Sequence, residues 1–149
     1  MKIIVKNRKA RYDYEFVETF EAGIALRGTE VKALREGRAN LRDSFAVVRD
    51  GEVWLRGLHI SPYSHTSDTQ LDPDRPRRLL LQKREIRRLI GKVEQKGLTL
   101  VATKLYFNAR GLAKVELALA RGKRSYDKRR TIAERDVRRD LDRALKHKG

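Results

Sequence analysis

Residues 98–119 read LTLVATKLYFNARGLAKVELAL. The run Leu98–Phe107 is apolar and rich in β-formers, the pattern of a long strand. After it, Ala113, Val115, Leu117 and Leu119 alternate with Lys114, Glu116 and Ala118. That period of two puts one set of side chains on a core face and the other on the opposite face. The connection Asn108–Gly111 is hairpin length. Strands joined so closely must be antiparallel.

Upstream of the hairpin, Ile86, Leu89, Ile90 and Val93 recur at helical spacing from Lys83 onward, and Gly97 stands where that helix should close. Its other face carries Arg84, Arg87, Arg88 and Lys92. A second hairpin is predicted at Phe45–Val48 and Val53–Leu55, because Asp50-Gly51 accepts the positive φ of a tight turn. Thr29 is the predicted cap of a short helix carrying Val31 and Leu34, with Gly37 at its end. Tyr12, Tyr14 and Phe16 alternate with Asp13 and Glu15 and predict a strand. It resumes through Ala22–Leu26, with Gly23 at a bulge or bend. Residues 61–78 hold all three prolines and predict an irregular loop.

Most strands are joined by short turns, so parallel βαβ units do not fit. The predicted fold is mainly β with short helices: a small antiparallel barrel over residues 1–120. An OB-fold satisfies this pattern, and so does any other small β-barrel. A chain of 149 residues suits one such domain.

Residues 121–149 differ in kind. Thr131 and Glu134 match a capping box. Ala133, Val137, Leu141, Ala144 and Leu145 then line one helical stripe. An isolated helix of about 15 residues is marginal in water. The tail is therefore expected to be disordered when free and helical when bound.

Charge singles out the partner class. The chain carries 36 Lys and Arg against 20 Asp and Glu, a net charge of +16. The excess is segregated: residues 1–11 hold five cations and no acid, 75–92 eight cations and one acid, 121–149 twelve cations and five acids. Residues 12–74 are net acidic. Three basic blocks around an acidic stretch point to a polyanionic partner, nucleic acid or less often an anionic membrane, rather than to general solubility. Aromatic groups interleave with the cations at Asn7-Arg8-Lys9-Ala10-Arg11-Tyr12 and around Tyr126, as stacking on RNA bases requires. Tyr12 and Tyr14 have core packing as their other reading.

Several functions are excluded. There is no Cys, hence no disulfide or thiolate site. His59, His65 and His147 are not at metal-ligand spacing. No hydrolase or nucleotide-binding motif is present. No stretch approaches the roughly 20 apolar residues of a membrane helix, and the apolar run in MKIIVKNRKAR is shorter than a signal peptide is expected to carry. The expectation is a cytosolic, non-enzymatic protein with no cofactor, no small-molecule substrate and no membrane partner. A structural ribosomal protein and an OB-fold nuclease are the competing readings.

Five stretches carry a more specific likeness: Asn7-Arg8-Lys9-Ala10; Gly23-Ile24-Ala25-Leu26 with Gly28-Thr29-Glu30-Val31-Lys32; Arg75-Pro76-Arg77-Arg78-Leu79-Leu80-Leu81; Gly122-Lys123-Arg124; and Asp127-Lys128-Arg129. In order and spacing the chain resembles the SmpB family over nearly its whole length. The resemblance implies an OB-fold body that binds the tRNA-like domain of transfer-messenger RNA (tmRNA). It implies a tail that enters the decoding region and vacant mRNA channel of a stalled ribosome, for trans-translation. Family positions for tmRNA binding carry over onto Asn7, Glu21 and Leu80, with Arg8, Lys9, Arg11, Lys32, Arg77 and Arg78 as basic neighbours. For the tail they carry over onto Lys123, Arg124, Tyr126, Asp127, Lys128, Arg129, Arg130 and Arg138. Tyr126 stands where the family often has His, so stacking is retained and imidazole protonation is lost.

Overall fold

The hairpin at 98–119 organises the molecule. A computed structural model describes residues 1–64 and 71–123. In it, β8 (Thr99–Phe107) pairs antiparallel with β9 (Ala113–Gly122) from Thr99↔Ala120 to Phe107↔Ala113. The inward set is as the alternation predicts: Val115, Leu117 and Leu119 are fully buried, as are Leu100 and Leu105 opposite. Each such side chain contributes roughly 2 kcal/mol of burial.

The remaining elements close a ring on this hairpin. They are β1 (Lys2–Lys6), α1 (Arg8–Asp13), β2 (Tyr14–Ile24), α2 (Gly28–Arg35), β3 (Ala39–Asn40), β4 (Phe45–Arg49), β5 (Glu52–Arg56), β6 (His59–Ile60), β7 (Arg77–Leu80) and α3 (Lys83–Lys96). The order β8-β4-β5-β7-β2-β9 returns to β8 through the β8–β9 pairing. β1 takes the part of the β8 edge that β4 leaves open, pairing at 104–107 while β4 pairs at 100–101. All described pairings are antiparallel. This is the expected OB-fold-like barrel, and closure leaves no long strand edge in the ring.

The helix predicted from Lys83 is α3. Leu89 and Ile86 enter the core, Ile90 and Val93 pack beside them, and Gly97 closes the helix at φ 64 with its N–H on the Val93 carbonyl. The Asp50-Gly51 turn is also as predicted: both residues have positive φ, 52 and 75. It joins β4 to β5 with Arg49↔Glu52 in register.

Several expectations are corrected. Tyr12 is not in a strand. Asn7 caps one short helix, α1, by accepting from the Ala10 N–H, and β2 starts only at Tyr14. Helix α1 lays Ala10 on Val101, Ala118 and Ala120, with Tyr14 and Phe16 against the same cluster. Tyr14 is therefore packed and Tyr12 exposed (83%). β2 runs unbroken to Ile24; its register shift lies at Phe16/Glu18, not at Gly23. Thr29 does not cap α2. The cap residue is Arg27, whose N–H donates to Glu30. The proline-rich loop stops short of Arg77, which opens β7. β9 continues through Arg121 and Gly122, because Tyr14 and Glu15 of β2 are there to pair with them. The tail readings, disordered when free and helical when bound, fall outside the described residues.

Candidate nucleic-acid interface

The outer face of β8, β9 and β2 follows from parity. Glu116 lies between Glu21 on β2 and Lys104 on β8, and Lys114 beside Tyr106. These side chains point away from the core that Val115 and Leu117 enter. Farther along the same face stand Ala118 and Ala120, which α1 covers. One surface thus carries the α1 cations at one end and a polar row at the other.

At the α1 end, Asn7 is a structural pin. It is buried, its Nδ2 donates to the carbonyls of Leu41 (3.1 Å) and Ala102 (3.0 Å), and its Oδ1 accepts from Ala10. Its polar atoms are turned inward, where they fix α1 against the barrel. Arg8 is exposed. Arg11 is exposed and lies 5.5 Å from the Phe16 ring centroid, a cation–π distance. Lys9 pairs with Asp43 at 2.8 Å, and hydrogen bonding and charge from Lys9 hold the Asp43 carboxyl below its usual range. Lys123 donates to the Arg11 carbonyl at 3.2 Å, tying the end of the described chain to α1.

At the other end, Glu21 accepts a hydrogen bond from the Tyr106 hydroxyl, and Lys114 Nζ stands 4.0 Å from its second oxygen. Burial and then the bond to Glu21 push the Tyr106 phenol well above its ordinary value, so it stays a donor. The Glu21 side chain remains half-exposed. A carboxylate held this way offers acceptor lone pairs to solvent with its rotamer fixed. Such a group suits the N–H and 2′-OH donors of RNA and repels bare phosphate. Beside it, Glu116 accepts from Thr103 and lies 3.8 Å from Lys104.

Leu80 borders this row. It pairs with Gly23, two residues along β2 from Glu21 and on the same face, and it is 47% exposed. A Cβ at Gly23 would sit 3.1 Å from Leu80 Cβ, so glycine here admits the leucine rather than making a bulge. Asn7, Glu21 and Leu80, far apart in sequence, all serve one continuous outer surface.

Arg77 does not join it. Arg77 is fully buried (0% exposed). Its guanidinium meets Glu30 at 2.7 Å and donates to the carbonyls of Leu58 and Pro73. The reading of Arg77 as an RNA contact is thereby corrected: strand alternation turns it inward and turns Arg78 outward. Burial works against the charge of Glu30. Arg75, the Arg27 N–H and Arg77 outweigh it and hold the Glu30 carboxyl below its usual range. Lys32 is on α2, its ammonium 5.6 Å from the Tyr63 ring centroid. Arg78 is exposed and pairs with Glu52 at 3.2 Å. Arg124, Tyr126, Asp127, Lys128, Arg129, Arg130 and Arg138 lie outside the described residues.

Sequence reasoning missed Tyr106 and Lys114. Lys114 was legible as an outward residue of β9. Tyr106 was not, since it sits in an apolar run and gains its role only from Glu21 across two strands.

The family model for SmpB protein matches residues 4–147. The chain belongs to the SmpB family. Among family relatives, the SsrA-binding protein of Moorella thermoacetica is 58% identical over 148 residues, covering 99% of this chain and 96% of that one. That of Acidothermus cellulolyticus is 60% identical over 144 residues, covering 97% and 90%. A solved chain described as "tmRNA-SmpB: a journey to the center of the bacterial ribosome" is 59% identical, with a TM-score of 0.70 over 92% of this chain and 96% of that one. No helix among the described residues is long and apolar enough to cross a membrane.

Proposed function

We propose that this chain binds the tRNA-like domain of tmRNA and delivers it to stalled ribosomes for trans-translation. The observation that carries the reading is likeness at 59% identity, over nearly the full chain, to a protein described with tmRNA and the bacterial ribosome. The chain acts in the cytoplasm as an RNA-binding adaptor and catalyses no reaction.

The body up to about residue 120 holds tmRNA. Exposed Arg8, Lys9, Arg11 and Arg78 take phosphates, Glu21 takes RNA donors and Leu80 takes an apolar RNA surface; Asn7 acts by fixing α1. Lys32, exposed on α2, adds positive charge. The tail, 121–149, serves the ribosome. Lys123, Arg124, Lys128, Arg129, Arg130 and Arg138 meet ribosomal RNA phosphates in the decoding region and vacant mRNA channel, with Tyr126 stacking and Asp127 accepting hydrogen bonds.

Two measurements test this. The full chain should bind tmRNA more tightly than a tRNA of unrelated sequence, with affinity falling steeply as salt rises, because phosphate neutralisation releases counterions. Replacing Asp127-Lys128-Arg129 by alanine should leave tmRNA affinity within about 1 kcal/mol, since phosphate contacts to tmRNA come from the body. The same change should abolish tagging of nascent chains on stalled ribosomes. Equal affinity for tmRNA and the unrelated tRNA would overturn the reading, and full tagging by the alanine variant would overturn the role of the tail.

A further inference from the structure

Beyond Leu80 the outer face runs into an open groove. It lies between the Asp50-Gly51 turn, the end of β7 and the first two turns of α3, and its volume is about 810 Å³. Leu80, Leu81 and Ile90 make an apolar floor. Lys83 and Arg87 stand on one wall, four residues apart on α3 and therefore on the same side of the helix. Both are exposed, and among the described residues neither has an ion-pair partner. The opposite wall carries Asp50 and Glu52, and Arg78 pairs with Glu52 at 3.2 Å.

This distribution selects its occupant. A simple anion would meet the carboxylates of Asp50 and Glu52. A purely apolar ligand would leave Lys83 and Arg87 unused. A nucleotide has three parts that match three parts of the groove. Its base has apolar faces for Leu80, Leu81 and Ile90, and N–H donors on its edge for a carboxylate wall. Its flanking phosphates suit Lys83 and Arg87. Only an unstacked nucleotide can present all three at once. The groove also continues from the Glu21–Leu80 row, so RNA lying along that row reaches it without leaving the surface.

The structure assigns this groove as a subsite for one unstacked nucleotide of the bound RNA, which rests on the tmRNA-binding reading above. Base and backbone bind opposite walls. The subsite thereby favours RNA with an unpaired residue at the matching place over a continuous duplex.

Gln82 offers a test that leaves the core untouched, being exposed at the groove edge and making no side-chain cap bond. With the full chain and tmRNA, Gln82→Trp should fill the groove and weaken binding about tenfold, within the range of one lost base contact. Its affinity for a plain RNA duplex should not change. Separately, Lys83→Ala with Arg87→Ala should lower the slope of log affinity against log salt by about 1 per lost phosphate contact. A photo-crosslinking residue at position 82 should attach to a single unpaired nucleotide of tmRNA. Unaltered protein that fails to bind tmRNA would overturn the function itself. Normal binding by unaltered protein, matched by Gln82→Trp and with the salt slope of the double variant unchanged, would overturn the groove alone. So would crosslinks confined to base-paired tmRNA.

Discussion

Arg77 and Arg78 are chain neighbours of equal charge in opposite environments. Arg77 points into the α2–β7 junction, where Glu30 and backbone carbonyls consume its donors. Arg78 points outward, exposed, with a solvent-accessible partner in Glu52. The same contrast separates Glu30, buried beneath two arginines, from Glu21, half-exposed and held by Tyr106. The inner pair fixes where α2 and β7 sit; the outer groups remain available to a partner. A cation in a basic block is a candidate contact only if its strand parity turns it outward.

The largest effect should come from the inner pair. Arg77→Ala leaves Glu30 partly uncompensated in a buried site and should cost about 3–5 kcal/mol in chemical denaturation. Arg78→Ala removes an exposed pair and should cost about 0–1 kcal/mol, while lowering the salt slope for tmRNA. Equal costs would break the comparison. Acid sharpens it. The Glu30 carboxyl is depressed in the folded state. Its contribution to stability is therefore present above its unfolded pKa and lost as pH falls through the folded value. Glu30→Gln should remove that part of the acid dependence.

Asn7→Ala comes next. It leaves the Leu41 and Ala102 carbonyls without their donor and uncaps α1, at about 2–3 kcal/mol in thermal or denaturant unfolding. Affinity for tmRNA should fall with it, because Arg8 and Arg11 lose their platform. An Asn7→Ala protein of normal stability but weakened RNA binding would show a direct contact instead.

Leu80→Asp should reverse the balance. With Leu80 exposed, stability should change by about 0.5 kcal/mol, while tmRNA affinity falls about tenfold, the loss of one apolar contact plus added repulsion. A sharp drop in melting temperature would place Leu80 in the core after all.

The smallest effect should be Tyr106→Phe. The ring and its packing remain, and only the hydroxyl that orients Glu21 is lost. Stability should fall by about 1 kcal/mol and tmRNA affinity by a few fold. In a double-mutant cycle, Tyr106→Phe should add little once Glu21→Gln is in place. Additive losses in affinity would separate the two residues.

Much of the barrel could be read before folding was considered. The 98–119 hairpin, the Asp50-Gly51 turn and the Lys83–Gly97 helix each repeat one local pattern and bury one face. The misreadings share a cause. Tyr12-x-Tyr14-x-Phe16 has the period of a strand, yet the Asn7 cap and the seat for Ala10 on Ala118 and Ala120 wind residues 8–13 into a helix. Gly23 looked like a break because its neighbour in space, Leu80, is 57 residues away in sequence. The site was legible as charge and as family likeness, and less so as geometry.

The sequence by itself determined the fold class, the polyanionic partner and the family, because periodicity, charge and motif spacing are properties of consecutive residues. Tertiary structure decided which of those residues face outward. Asn7 and Arg77 turn inward to satisfy buried carbonyls and Glu30, since an unpaired polar group in the interior costs more than a solvated one. Glu21, Tyr106 and Lys114 become one unit only because β2, β9 and β8 lie side by side, a juxtaposition that closing the barrel creates.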